Sequence, residues 1–168
     1  MPEKRTLERA RRDRREGKAP STQAGEFIRE QIDHIREGRH GARSTKQAIA
    51  IGLSEARRAG VDLPPPAKGK TSEKTRKSAA RAYALGHGAT PRRPATPERA
   101  RASEAALKRE GRSAASHRAL AAQARSAASA RTPGERSAAA ARAVRTKGAA
   151  QRSAAARKGA RTRETHPH

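Results

Sequence analysis

The sequence predicts an all-α protein, a small helical hairpin followed by a long basic arm that is Ala/Arg-rich and largely disordered or transiently helical. Three observations lead there. The chain has fifteen Ile, Leu, Val, Phe and Met residues among 168, and eight of them (Phe27, Ile28, Ile32, Ile35, Ile49, Ile51, Leu53 and Val61) lie between Ser21 and Val61. Within that window many of them recur at helical steps of three and four. Elsewhere the apolar content is mainly alanine, and Phe27 and Tyr83 are the only aromatic residues. Alanine favours helix but contributes little burial, so a core for the whole length is not expected.

Residues 3–16 read as a highly charged helix whose apolar points are Leu7 and Ala10. Glu8–Arg12 and Arg9–Asp13 stand four apart, where opposite charges meet on a helix surface. With no packing face this helix is expected to be marginal. Gly17 to Pro20 ends it. Ser21 or Thr22 is expected to cap the next helix, in which Ala24, Phe27, Ile28, Ile32 and Ile35 form one stripe. Glu26, Arg29, Glu30, Asp33, Arg36 and Glu37 take its other sides, and Gly38 suits the C-terminal cap.

Ser44 and Gln47 have capping-box spacing at the start of a second helix that carries Ala48, Ile49, Ile51, Leu53 and Ala56. Gly60 ends it, and Val61 suits the apolar contact beside a glycine cap. Pro64, Pro65 and Pro66 form a stiff spacer. The expected divisions are a charged segment at 1–20, the hairpin at 21–63, a Pro/Lys linker at 64–70 and the basic tail at 71–168. A hairpin of some forty residues is short for independent folding, so a homodimer through Phe27, Ile28, Ile32, Ile35, Ile49 and Leu53 is expected.

The tail is punctuated rather than periodic. A basic residue followed by Ser-Ala-Ala occurs at Lys77, Arg112, Arg125, Arg136 and Arg152, at irregular intervals of 35, 13, 11 and 16 residues. That excludes a solenoid of fixed period. Thr96-Pro97-Glu98 and Thr132-Pro133-Gly134-Glu135 read as helix starts, and Gly86, Gly111, Gly148 and Gly159 as stops.

Charge separates the two halves. Residues 21–66 hold seven Lys/Arg against six Asp/Glu, whereas residues 67–168 hold twenty-five against six, a net +19 within a total of +24. Eighteen of those twenty-five are arginine, which grips phosphate in a bidentate way. Such an arm points to nucleic acid, where cationic side chains release condensed counterions. Filler from a GC-rich genome is the dull alternative. The expected phosphate contacts in the arm are Lys74, Arg76, Lys77, Arg81, Arg112, Arg125, Arg136, Arg142, Arg145, Arg152 and Arg157. A single tyrosine is too little for base stacking, so sequence-tolerant backbone binding is expected.

The turn before the second helix adds possible contacts at Arg39, Arg43, Ser44 and Lys46, where backbone N–H groups can hold a phosphate oxygen. An ordinary solvated turn would also suit these residues, and a Walker loop is absent. Ala48-x-x-x-Gly52-Leu53-Ser54 suggests a helix-turn-helix. Against it, Arg58 stands where that motif wants an apolar residue, so a continuous helix through Gly52 is expected.

The remaining chemistry is sparse. No cysteine is present, which excludes disulfides and thiolate catalysis. Glu30 and His34 share a helix face, but no third metal ligand is apparent and a solvated charged face is expected. His166-Pro167-His168 reads as a frayed terminus. No arrangement for catalysis, cofactor or small-molecule binding stands out. No signal or membrane-spanning run is evident, so a cytoplasmic, nucleoid-associated protein is expected.

Arg15–Phe27, REGKAPSTQAGEF, and His40–Pro66, HGARSTKQAIAIGLSEARRAGVDLPPP, resemble a family of small basic bacterial proteins, uncharacterised and often labelled only as DNA-binding. The resemblance covers about residues 1–80. It implies DNA binding and brings no catalytic residues. The tail is similar in style to bacterial linker-histone-like proteins and to basic extensions of HU proteins, although those are lysine-rich. Histone-like compaction or protection of DNA is the implied role. An RNA- or ribosome-associated protein, and a partner-binding hairpin on a passive tether, are the alternatives.

Overall fold

A computed structural model describes residues 2–90, 96–146 and 148–165. Every regular element among them is helical: α1 (Lys4–Arg15), α2 (Pro20–Glu37), α3 (Thr45–Arg58), α4 (Glu73–Gly86), α5 (Pro97–Arg109), a 3₁₀ turn (Ser113–Ala115), α6 (His117–Ser129), α7 (Pro133–Thr146) and α8 (Ala149–Thr165). The chain divides into two compact units, residues 1–123 and 124–168.

In the first unit, α2 and α3 pair as an antiparallel hairpin. Ile35 shares a buried cluster with Ala48, and Phe27 shares another with Ala56 and Val61, so the pairing runs in opposite directions along the two helices. Gly52 makes the close approach possible. A Cβ there would lie 2.7 Å from the Ile28 Cα. Helix α3 runs through Gly52 without interruption, so the helix-turn-helix reading is set aside. Gly38 caps α2 in the left-handed conformation at φ 77°, and the Ser44 hydroxyl accepts the Gln47 N–H at 3.2 Å, both as the sequence predicts. The start of α2 differs from expectation. Proline at the first helical position begins it, with Ala19 rather than Ser21 or Thr22 at the cap.

The hairpin is only the middle of the folded unit. Helix α1 packs on α2 and buries Thr6, Ala10 and Asp13, so it has the packing face that its sequence conceals. Its charges accordingly look outward from the helix for partners. Arg9 pairs with Glu26 at 2.7 Å and Asp13 with Lys18 at 2.7 Å, instead of with each other. Helix α4 packs on α3 and buries Ala79 and Ala82, and the Tyr83 hydroxyl donates to Asp62 at 2.7 Å. Arg57, itself buried, donates to the Leu63 carbonyl at 3.0 Å and so holds the start of the proline spacer.

The stripe serves as core, as the sequence expects, and the arm departs from expectation. The isoleucine stripe is covered from within: Ile32 and Ile35 pack against Ala42, Ala48, Ala114 and Ala115, while Phe27 packs against Ala10, Ala24, Ala56 and Val61. Phe27 and Ile35 have no exposed surface, and Ile28, Ile49 and Leu53 are half-buried, so the stripe is not a free dimer face. The arm from residue 71 is not a separate disordered tail over its described residues. It supplies α4 and the 3₁₀ turn to the first unit, and its remaining described segments are largely helical, α5–α8. Alanine's small size is the reason, because Ala79, Ala82, Ala114 and Ala115 fit flush against helices that larger residues would push away.

The second unit is built from the end of α6 with α7 and α8. Thr132 and Glu135 form a reciprocal capping box at the start of α7, with Thr132 N–H to Glu135 Oε2 at 2.8 Å and Glu135 N–H to Thr132 Oγ1 at 3.2 Å. Gly148 separates α7 from α8 as expected, but Gly159 lies inside α8 and does not stop it. His166-Pro167-His168 lies outside the described residues.

Candidate nucleic-acid interface

The turn Gly38–Ser44 is held by distant backbone. Gly41 N–H donates to the Leu107 carbonyl at 2.8 Å, and Ala42 N–H to the Gly111 carbonyl at 3.1 Å. A Cβ at Gly41 would run into the Glu110 carbonyl, so glycine is required for that approach. The Thr45 hydroxyl then donates to the Ala114 carbonyl at 2.7 Å, and Arg36 Nε donates to the Ala115 carbonyl at 3.1 Å. Together these bonds set the first turn of α3 beside the first turn of α6.

An open cleft of about 540 Å³ lies between them, lined by Arg43, Ser44, Thr45, Lys46, Ser113, Ser116 and Arg118 among others. Both helices present N-terminal N–H groups there, with the positive end of the helix dipole. Ser44 and Ser116 each accept a bond from their own helix, from Gln47 N–H and Ala119 N–H, both at 3.2 Å. Each hydroxyl proton is left to donate. Among the described residues no carboxylate lines the cleft. Among the described residues no ion pair engages Arg43, Lys46 or Arg118, and all three are exposed. Three cations and two helix starts around one cleft make a seat for an anion with several oxygens.

The residues expected to contact phosphate separate into groups. Arg43, Ser44 and Lys46 meet in this cleft, whereas Arg39 is committed to acids, 2.7 Å from Glu3 and 2.8 Å from Glu37. On α4, Lys74, Lys77 and Arg81 are exposed, but Arg76 is bound in a bidentate way by Glu73 at 2.9–3.2 Å. Arg112 is exposed and its guanidinium lies beside Gly38. In the second unit Arg125, Arg136, Arg142, Arg145, Arg152 and Arg157 are all exposed on helices. Arg136 spends one N–H on the Arg131 carbonyl at 2.8 Å and Arg152 one on the Val144 carbonyl at 3.0 Å.

Sequence reasoning missed Arg118, Ser113 and Ser116. Ser116 ahead of His117-Arg118-Ala119 is a legible helix cap, but nothing local places it beside Arg43. Sequence reasoning also missed Glu3, which the fold brings to Glu30 and His34; Glu30 is 4% exposed rather than on a solvated face.

No helix among the described residues is long and apolar enough to cross a membrane. No curated protein and no solved structure matches the chain. Residues 3–68, which hold α1–α3 and the Arg43–Lys46 half of the cleft, match a family described as one of unknown function, DUF6496.

Proposed function

We propose that the protein binds nucleic acid through the phosphate backbone, with duplex DNA as the foremost target and little preference for sequence. The observation that carries this reading is the cleft at the starts of α3 and α6, where Arg43, Lys46 and Arg118 face no acid among the described residues. A phosphodiester supplies what those groups lack, a negative charge with acceptor oxygens at a rigid spacing. The exposed arginines of residues 124–168 would extend the contact along the backbone and neutralise further phosphates, as expected of a nucleoid-associated, DNA-compacting protein. The two units carry net charges of the same sign, eleven Lys/Arg against two Asp/Glu in residues 124–168 and twenty-nine against fourteen in residues 1–123. No role as an enzyme is proposed.

The test is a salt titration of full-length protein on a random-sequence duplex, with structured RNA at equal salt as competitor. The slope of log K against log salt becomes shallower by about 0.9 for each cation taken away from a duplex phosphate. Arg43→Gln, Lys46→Gln and Arg118→Gln together should flatten it by up to about 2.7 and weaken binding more than three equivalent substitutions at Arg125, Arg142 and Arg157. Equal losses from the two sets would remove the cleft from the reading. Preference for RNA would transfer it to an RNA-associated role, and absence of binding to either would end it.

A further inference from the structure

Away from the cleft, α1 begins against a small acidic cluster. Glu30 and His34 stand one turn apart on α2, and Glu3 caps α1 above them. The Glu3 N–H donates to Glu30 Oε1 at 2.8 Å. His34 Nε2 lies 3.2 Å from Glu3 Oε1 and 3.8 Å from Glu30 Oε1, and one ligand atom from each of the three residues can be chosen so that all lie within 4.8 Å of one another. A tetrahedral cation bound at ~2.0–2.2 Å places neighbouring ligand atoms ~3.3–3.6 Å apart, close to the two His34 distances. The cavity beside them has about 10 Å³, the size for a single ion or water.

Two features of the cluster are unresolved by the protein's own groups. Glu30 is 4% exposed, and its Oε2 is enclosed without a hydrogen-bond partner among the described residues. A buried carboxylate left this way is costly unless a cation or proton joins it. The second conflict is at His34 Nε2. Glu3 Oε1 at 3.2 Å can only accept, so it asks Nε2 for a proton; Arg39 Nη1 at 3.0 Å can only donate, so it asks Nε2 for a lone pair. One nitrogen cannot satisfy both. A divalent cation in place of the Arg39 nitrogen takes the lone pair from Nε2 and supplies the buried Glu30 carboxylate with a partner, while Glu3 keeps Arg5 on its other oxygen at 2.7 Å. Arg39 would retain Glu37, 2.8 Å from its Nε.

We propose that Glu3, Glu30 and His34 form a binding site for one divalent transition-metal cation of the zinc class, which fastens the start of α1 to α2. The imidazole favours Zn²⁺ over Mg²⁺ or Ca²⁺, which prefer all-oxygen sites. Arg39 is the cation that the metal displaces.

The test is calorimetric titration of full-length, chelator-stripped protein with Zn²⁺ and with Mg²⁺, alongside thermal unfolding with and without Zn²⁺. One equivalent of Zn²⁺ should bind and raise the unfolding temperature, and Mg²⁺ should do neither. His34→Gln should weaken that site more than about tenfold, and a His166→Gln/His168→Gln variant should not. Arg39→Ala should tighten zinc binding, an effect that a purely structural ion-pair network would not produce, and it remains informative if Glu30→Gln fails to fold. No stoichiometric zinc binding, or binding that survives His34→Gln, would overturn the proposal and leave Arg39 and Arg5 as the cluster's own cations.

Discussion

The Thr45 hydroxyl donates a buried 2.7 Å hydrogen bond to the carbonyl of Ala114, 69 residues further along the chain. This bond joins the first turn of α3 to the 3₁₀ turn ahead of α6, and so holds together the two sides of the cationic cleft. Thr45→Val keeps the shape but leaves the Ala114 carbonyl unpaired. The expected loss is about 1–3 kcal/mol in denaturant unfolding, with Thr45→Ser close to wild type. Weaker duplex binding in Thr45→Val at a temperature where it remains folded would tie the cleft's geometry to its affinity.

Glycines at two helical positions should answer oppositely to alanine. At Gly52 a Cβ would lie 2.7 Å from the Ile28 Cα and 2.9 Å from its backbone nitrogen, so α2 and α3 must separate. Overpacking of about 1–3 kcal/mol outweighs a helix-propensity gain of about 1 kcal/mol, and Gly52→Ala should destabilise the fold. At Gly159 nothing lies within 4 Å of the added carbon, so Gly159→Ala should raise helical content in circular dichroism by the propensity term alone.

Acid should loosen the start of α1. Hydrogen bonds from Arg39 first, and then His34, hold the Glu3 carboxyl down from an ordinary 4.5 to about 2. A lowered folded-state value means that the stabilisation is complete above about 4.5 and is lost as pH falls toward 2. Glu55 acts in the opposite sense, because burial first and the nearby Glu30 next push its carboxyl up, so its ionisation opposes folding at higher pH. The difference between wild type and Glu3→Gln isolates the first effect. It should shrink between pH 4.5 and 2. A constant difference across that window would show that Glu3 contributes packing rather than charge.

The repeated Ser-Ala-Ala units should differ sharply in tolerance. Ala115 has no exposed surface and sits against Ile32 and Ile35, whereas Ala154 is exposed on α8. Ala115→Leu should cost about 1–3 kcal/mol through overpacking. Ala154→Leu should stay within about 0.5 kcal/mol, and unfolding curves of the two variants side by side decide it.

That contrast marks the boundary between what was legible in the sequence and what was not. Several helix ends were legible because caps act within one turn, although the start of α2 and the expected stop at Gly159 were not. Ser44 with Gln47, Gly38, Pro97 after Thr96, and Thr132 with Glu135 all take the conformations that their residue types require. The all-helical class and the segregation of positive charge were legible for the same reason, since composition and period determine them without regard to distant residues. The cationic cleft was half legible: Arg43, Ser44 and Lys46 were visible at a helix start, but Arg118 and Ser116 were not. The meeting of Glu3 with Glu30 and His34 was not legible at all.

Tertiary structure decided those placements, and the physical reason is sequence separation. The bonds that make them span 27 residues from Glu3 to Glu30, 69 from Thr45 to Ala114 and 79 from Arg36 to Ala115. Identical tetrapeptides show the effect directly. Arg112-Ser113-Ala114-Ala115 becomes a turn that plugs the core between α2 and α3, while Arg125-Ser126-Ala127-Ala128 and Arg152-Ser153-Ala154-Ala155 are exposed on helices. The sequence by itself determined how α3, α5 and α7 start and that the chain is strongly basic. Which alanines became core, and which cations came to face one cleft, was decided by long-range packing that no local pattern encodes.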